Sequence, residues 1–275
     1  MTPRRFPITD NHIHIDPLNG RGIEAAKEFY RAGGTHLFLV AKPSWSFGVA
    51  PSSGEDYRPV FEATLGVADE VRAIGLGVFV VLGVHPAEVT YFAERRPPAE
   101  SARIMAEGLD LAASYVREGR AVALKSGRPH YDAGPEVAEA SNRVLTHALE
   151  LAARTDCALQ IHAESGPCED VVGMARQAGM DPARVVKHFA DPGTPLVPSF
   201  VARHEAIPEA ATSGRGFMLE SDYMDELSRP GAVVGPKSVP RTSLRLLASG
   251  ALDEEALARC HVKTPSRVYG VEIAL

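Results

Sequence analysis

Five side chains able to hold a divalent metal ion stand where short apolar runs end. In Asp10-Asn11-His12-Ile13-His14 the two histidines are two residues apart. A strand turns such residues to one face, so two imidazoles can grip one ion. His162 closes the run Cys157-Ala158-Leu159-Gln160-Ile161, His188 closes Arg184-Val185-Val186-Lys187, and Asp222 follows Phe217-Met218-Leu219-Glu220-Ser221. Taken alone, each histidine reads equally well as a hydrogen-bonded core residue. Four histidines and an aspartate at the ends of separate strands converge only if those ends share one rim, and that convergence points to a metal centre.

The elements that must position them alternate along the chain. Strands are expected at Ile8 to Ile15, Thr35 to Ala41, Gly77 to Val84, Ala121 to Lys125, Cys157 to His162, Arg184 to His188, Leu196 to Phe200 (the weakest) and Gly216 to Ser221. Helical periods occupy Gly22 to Ala32, Tyr57 to Ile74, Ser101 to Glu118, Pro135 to Arg154, Glu169 to Ala178 and Glu205 to Ser213. Two short helices, Thr242 to Ser249 and Glu254 to Cys260, follow a Pro/Gly-rich loop. Eight β-α units in 275 residues predict an α/β fold, a (β/α)8 TIM barrel in which residues 1–275 form a single domain. A doubly wound sheet fits less neatly.

Composition narrows the function classes. Lys+Arg 29 against Asp+Glu 35 gives a formal charge of −6, so no positive field gathers polyanions. Nucleic acid is a permitted but disfavoured partner, and a small-molecule or nucleotide-type substrate is expected. Cys157, Cys168 and Cys260 are odd in number and lack CxxC spacing, which argues against a disulfide framework or zinc ribbon. With no signal-like apolar segment behind the N-terminal arginines and no run long enough for a membrane, the expected location is the cytoplasm.

The order HxH, a strand-four residue, His on strand five, His on strand six and Asp on strand eight resembles the amidohydrolase superfamily. It is most similar to TatD-type metal-dependent hydrolases of an archaeal branch. The resemblance rests also on Gly83-Val84-His85-Pro86-Ala87-Glu88, Gly127-Arg128-Pro129-His130-Tyr131, Val186-Lys187-His188-Phe189 and Glu220-Ser221-Asp222-Tyr223, which together span nearly the whole chain. It implies two divalent ions, with zinc favoured and manganese, iron or nickel compatible. One ion would be held by His12, His14 and Asp222, the other by His162 and His188. Asp222 would also accept a proton from the activated water.

One position departs from that pattern. TatD-type enzymes carry a metal-bridging Glu at the end of strand four, where this chain has Lys125. An ammonium about 4 Å from a divalent ion is repelled by roughly 8 kcal/mol even at an effective dielectric of 20. Three outcomes follow. Carbon dioxide converts Lys125 to a carbamate that bridges the metals, as in phosphotriesterase-like sister families. Or Lys125 stays an ammonium and replaces one metal. Or the site is degraded and the barrel binds a ligand without turnover. Retention of His12, His14, His162, His188 and Asp222 favours a working hydrolase. Phosphoesters lead by resemblance to TatD enzymes, and lactones, esters or phosphotriesters lead if the carbamate forms. His85, Glu88, Arg128 and His130, in the loops after strands three and four, are expected to contact substrate. Glu164 is a candidate partner for a ligand histidine, and Trp45 and Phe47 for a covering lid.

Overall fold

A computed structural model describes residues 6–228 and 233–275; the N-terminal arginine pair and part of the Pro/Gly-rich loop lie outside the described residues. All strands are parallel: β1 (Thr9–His14), β2 (His36–Val40), β3 (Gly77–Gly83), β4 (Ala123–Gly127), β5 (Ala158–His162), β6 (Val185–Lys187), β7 (Val197–Val201), β8 (Met218–Glu220) and β9 (Tyr223–Met224). Their order is β8-β7-β6-β5-β4-β3-β2-β1-β9. Only Ser221 and Asp222 separate β8 from β9, so the two ends of that order are one interrupted strand and the sheet closes into a barrel. Each of the eight expected strands is present, including the weak seventh.

Parallel strands covered on both faces need apolar residues in both alternating sets. Leu37, Leu39, Leu82, Leu124, Leu159 and Ile161 pack outward into the main core. That core includes side chains of α1 (Ile23–Arg31), α2 (Arg58–Ala73), α4 (Pro98–Arg117), α5 (Pro135–Arg154) and α6 (Glu169–Gln177), and the one-turn α3 (Glu88–Tyr91) precedes α4. A second cluster joins Phe200 and Leu219 to α7 (Ile207–Thr212), α8 (Ser238–Ala248) and α9 (Glu254–Ala258). The alternate residues Phe38, Val40, Val81, Ala123, Ala158, Val186, Val197 and Met218 fill the barrel itself. Proline in the first turn of α2, α4 and α5 costs no helical hydrogen bond there.

The chain beyond α9 departs from the sequence expectation. Instead of stopping near Cys260 it continues through a π-helical turn, Arg259–Lys263, into α10 (Thr264–Tyr269). Pro265 occupies the first turn of α10, where its missing N–H costs no helical hydrogen bond. The buried His261 in the π turn meets Thr9 at 3.1 Å and Ser243 Oγ at 2.8 Å, which ties this segment to the start of β1. Tyr269 then plugs the N-terminal end of the barrel. Its ring lies 4.1 Å from that of Phe38, and its hydroxyl accepts from Gln160 and donates to Asn11.

Removing that hydroxyl leaves two buried amide groups short of a partner. Tyr269→Phe is therefore expected to lower stability by about 1–3 kcal/mol. An unchanged denaturation midpoint would show that the plug bonds carry no weight.

Candidate metal centre

The strand ends bring the buried His12, His14 and His188 and the part-buried His162 into one cluster at the C-terminal mouth of the barrel. His12 Nε2 faces His14 Nε2 at 3.1 Å, and His162 Nδ1 faces His188 Nε2 at 2.8 Å. Rings of His12 and His188 stack at 4.1 Å, so the two pairs adjoin. Burial drives the pKa of all four down, His14 to about 3, which leaves each imidazole neutral with one lone pair.

Outer partners decide where those lone pairs point. His14 Nδ1 donates to the Val40 carbonyl at 2.8 Å, so its Nε2 is bare. His188 Nδ1 faces Glu220 Oε1 at 3.3 Å, and His162 Nε2 faces His130 Nδ1 at 2.9 Å. If both inner nitrogens are bare, they face each other across a gap that only a cation relieves. Two nitrogens on one zinc ion are roughly 3.0–3.4 Å apart for bonds of ~2.1 Å. The cluster is therefore close to the spacing a divalent ion requires, and the donor set fits. His12, His188 and Asp222 additionally place ligand atoms within 4.8 Å of one another.

Lys125 lies at the centre, fully inside the barrel. Its Nζ is 3.2 Å from His12 Nε2. Burial lowers its pKa to about 8 against the opposing pull of Asp222 and Glu220. As an ammonium it donates into the same lone pair that an ion at His12 would use, so the two exclude each other in this arrangement. Asp222 takes a left-handed backbone, φ 45°, and its carboxylate stands 3.8 Å from His12 Nε2. Burial raises its pKa to about 6 while Lys125 lowers it. A carboxylate poised there is ionised at neutral pH and still basic enough to take a proton.

Glu220 and Asp10 belong to this layer although the sequence reading assigned neither a role. Glu220 is wholly buried; Oε1 accepts from the Phe189 amide at 2.7 Å and Oε2 has no partner. Burial raises its pKa well above the usual carboxylate range. Asp10, raised to about 7 by burial, accepts from the amides of His12 and Ser221. The signal for Glu220 was present: it stands two residues before Asp222 and so shares its inward face. The backbone is also tight here. A Cβ on Gly83 would come within 2.0 Å of the Lys125 carbonyl oxygen, and one on Gly127 within 1.8 Å of that of His162.

The loop residues divide. His85 packs its ring 5.1 Å from that of His162, at the mouth. His130 is exposed and stands behind His162, where it can orient that ring. Arg128 is not an open anion clamp: its guanidinium is held by Glu164 and Asp170. That bond also answers the expectation for Glu164, which meets Arg128 rather than a ligand histidine. Glu88 departs furthest from its expected place. It is buried, accepts from Tyr57 at 2.5 Å and from the Ser44 amide at 3.0 Å, and so fastens two loops instead of facing substrate. Trp45 is half-buried at the mouth beside His85, whereas Phe47 packs against the outer core.

The family model described as TatD related DNase matches residues 9–270. An uncharacterized protein of Methanocaldococcus jannaschii, MJ1127, is 35% identical over 284 residues, covering 99% of both chains. Among solved structures, a mutant PTE-like lactonase of Deinococcus radiodurans superposes with a TM-score of 0.64 at 16% identity, covering 97% of each chain. The organophosphorus hydrolase of the same organism gives 0.61 at 15% identity, covering 97% of this chain and 93% of that one. At such identities these structures bear on the barrel fold.

If His130 fixes the tautomer of His162, its loss should weaken the second ion specifically. In a centre that held two zinc ions, His130→Ala would reduce affinity for one of them by about 10- to 100-fold, read by competition with a chelator. Equal weakening of both ions, or of neither, would remove His130 from that role.

Proposed function

The chain belongs to the TatD-related DNase family and is, in class, a metal-dependent hydrolase; from that premise we propose a binuclear centre that cleaves small esters or phosphoesters. The observation that carries this reading is the pair of facing imidazole couples, His12 with His14 and His162 with His188, around the buried Lys125. Divalent ions, zinc foremost, would supply Lewis acidity that acidifies water and polarises the substrate's acyl or phosphoryl oxygen. His12, His14 and Asp222 would hold one ion and His162 and His188 the other.

Lys125 would connect them as a carbamate. Its depressed pKa, about 8, makes far more free amine available near neutrality than an ordinary lysine offers, and only the free amine takes up carbon dioxide. The ammonium first gives up one proton; the free amine nitrogen then bonds the carbon of carbon dioxide and a second proton leaves to solvent, so an anion with two oxygens stands where a cation stood. The same residue then changes from excluding metal to binding it. The chain's other tasks are protonic and positional. Asp222 accepts the proton released by the attacking water and returns it to the leaving group. His14 is kept in its ligand tautomer by Val40, and Glu220 orients His188.

Commitment of Arg128 to two carboxylates weakens the case for a long nucleic acid, since phosphate backbones are gripped by free cations. A second reading is favoured by one contact: Lys125 Nζ at 3.2 Å from His12 Nε2 is the geometry of an ammonium in place of one ion. A mononuclear centre would result.

Metal stoichiometry separates the two. After chelation, reconstitution with zinc or manganese should give two ions per chain only with bicarbonate, and at equilibrium more completely near pH 9 than near pH 7, because protonation of Lys125 falls as pH rises through about 8. Lys125→Ala should lose the second ion; full loading of this variant would end the bridge proposal. Asp222→Asn is expected to lower kcat by about 100-fold or more with the fold intact, and retained turnover would remove Asp222 from proton transfer.

A further inference from the structure

A second cleft opens beside the centre, between the loops that follow β1, β2, β3 and β9. It has a volume of 940 Å³, and its lining includes Leu18, Lys42, Trp45, Tyr91, Glu226 and Leu227. Trp45 and Tyr91 stack at 4.3 Å with planes 18° apart. The edge of Trp45 meets His85, 5.9 Å between centroids, and His85 in turn lies 5.1 Å from His162. The aromatic shelf is thus one ring removed from the histidine cluster. Its outer side is open: Tyr91 is 56% exposed, Leu18 69% and Leu227 65%. Large apolar side chains gathered in this way mark a binding surface more often than single exposed ones do.

Charge narrows what can lie there. Lys42 is the one cation among the lining residues, and its ammonium is already committed to Asp16 at 2.7 Å, the Asp225 carbonyl at 3.0 Å and Glu226 at 3.7 Å. With Asp16 and Glu226 also in the lining, two carboxylates face one ammonium. Among the described residues, an anionic group entering the cleft would find no uncommitted cation and two carboxylates in the wall. A flat neutral group would find a pre-formed ring to stack on and leucines at its edges.

We infer that this cleft is the specificity pocket of the hydrolase and takes a neutral planar aromatic arm of the substrate, stacked on the Trp45–Tyr91 pair. The inference rests on the hydrolase reading for the bond cleaved but not for the binding itself. Aryl esters and nucleosides both carry such an arm.

Trp45 is the single tryptophan of the chain, so its fluorescence reports on the cleft without turnover. Metal-loaded protein would be titrated with benzyl alcohol, adenosine, benzoate and cyclohexylmethanol, none of which is an ester. Saturable change with benzyl alcohol, adenosine or both is expected, and which of them binds more tightly identifies an aryl or a nucleoside source. Benzoate and cyclohexylmethanol should bind at least about 3-fold more weakly, and Tyr91→Ala should weaken the aromatic ligand by about 3- to 10-fold. Benzoate binding as well as benzyl alcohol, or no saturable change with either neutral aromatic, would overturn the inference while leaving the metal-centre reading untouched. Should binding succeed and no ester or phosphoester be cleaved, the hydrolase reading fails and the pocket stands.

Discussion

Everything at the mouth of this barrel depends on how its sheet is closed. The seam joins the first strand to the last, and the last strand is broken at Ser221-Asp222. Across the break, the Asp222 amide donates to the His12 carbonyl at 2.9 Å and Asp10 accepts from the Ser221 amide at 3.0 Å. The same Asp10 carboxylate takes the His12 amide. Just beyond, Asp225 accepts from the amides of Asp16, Arg21 and Gly22, so the loop after β1 is wrapped around a residue that follows β9. These bonds set His12 and His14 against Asp222. A seam closed by ordinary ladder bonds alone would hold the barrel but not the left-handed turn that presents the aspartate.

The site is also a layer of the core in which aliphatic residues have been replaced by titratable ones. Below it the strands contribute Val40, Val81, Ala123 and Val186; one layer up they contribute Lys125, His162, His188 and Glu220. Desolvation acts on the acids and bases in opposite directions, pushing histidines and lysine down and carboxyls up. The result in both directions is less charge. A layer of this kind, with neutral imidazoles and partly unsatisfied polar atoms, is expensive to bury, and it becomes favourable when cations arrive to satisfy the lone pairs.

The barrel was legible because eight apolar runs alternate with helical periods, and α5 runs from Pro135 to Arg154 as the sequence indicates. The histidines and Asp222 were legible because a strand end is easy to locate and period two settles the face. Loop residues were less so. Nothing local distinguishes Glu88, which points into the scaffold, from His85 three residues earlier, which points to the mouth; the difference is made by Tyr57, distant in sequence. Arg128 likewise looked like an anion clamp until Glu164 and Asp170 came to meet it. The barrel plug was missed because the expected helices end at Cys260 and the six residues of α10 are too short a run to show a helical period.

The two glycines around β4 have a consequence for the history of such barrels. Contact at 2.0 Å and 1.8 Å from a would-be Cβ means that β3, β4 and β5 are clasped backbone to backbone at the level of Lys125. That strand has no room to advance or retreat when its central side chain changes length. A short carboxylate and a long lysine at this position therefore cannot be exchanged by small adjustments of the scaffold. A lineage that exchanges one for the other has to adjust the side chains that meet this position, His12 among them, and not the strand itself.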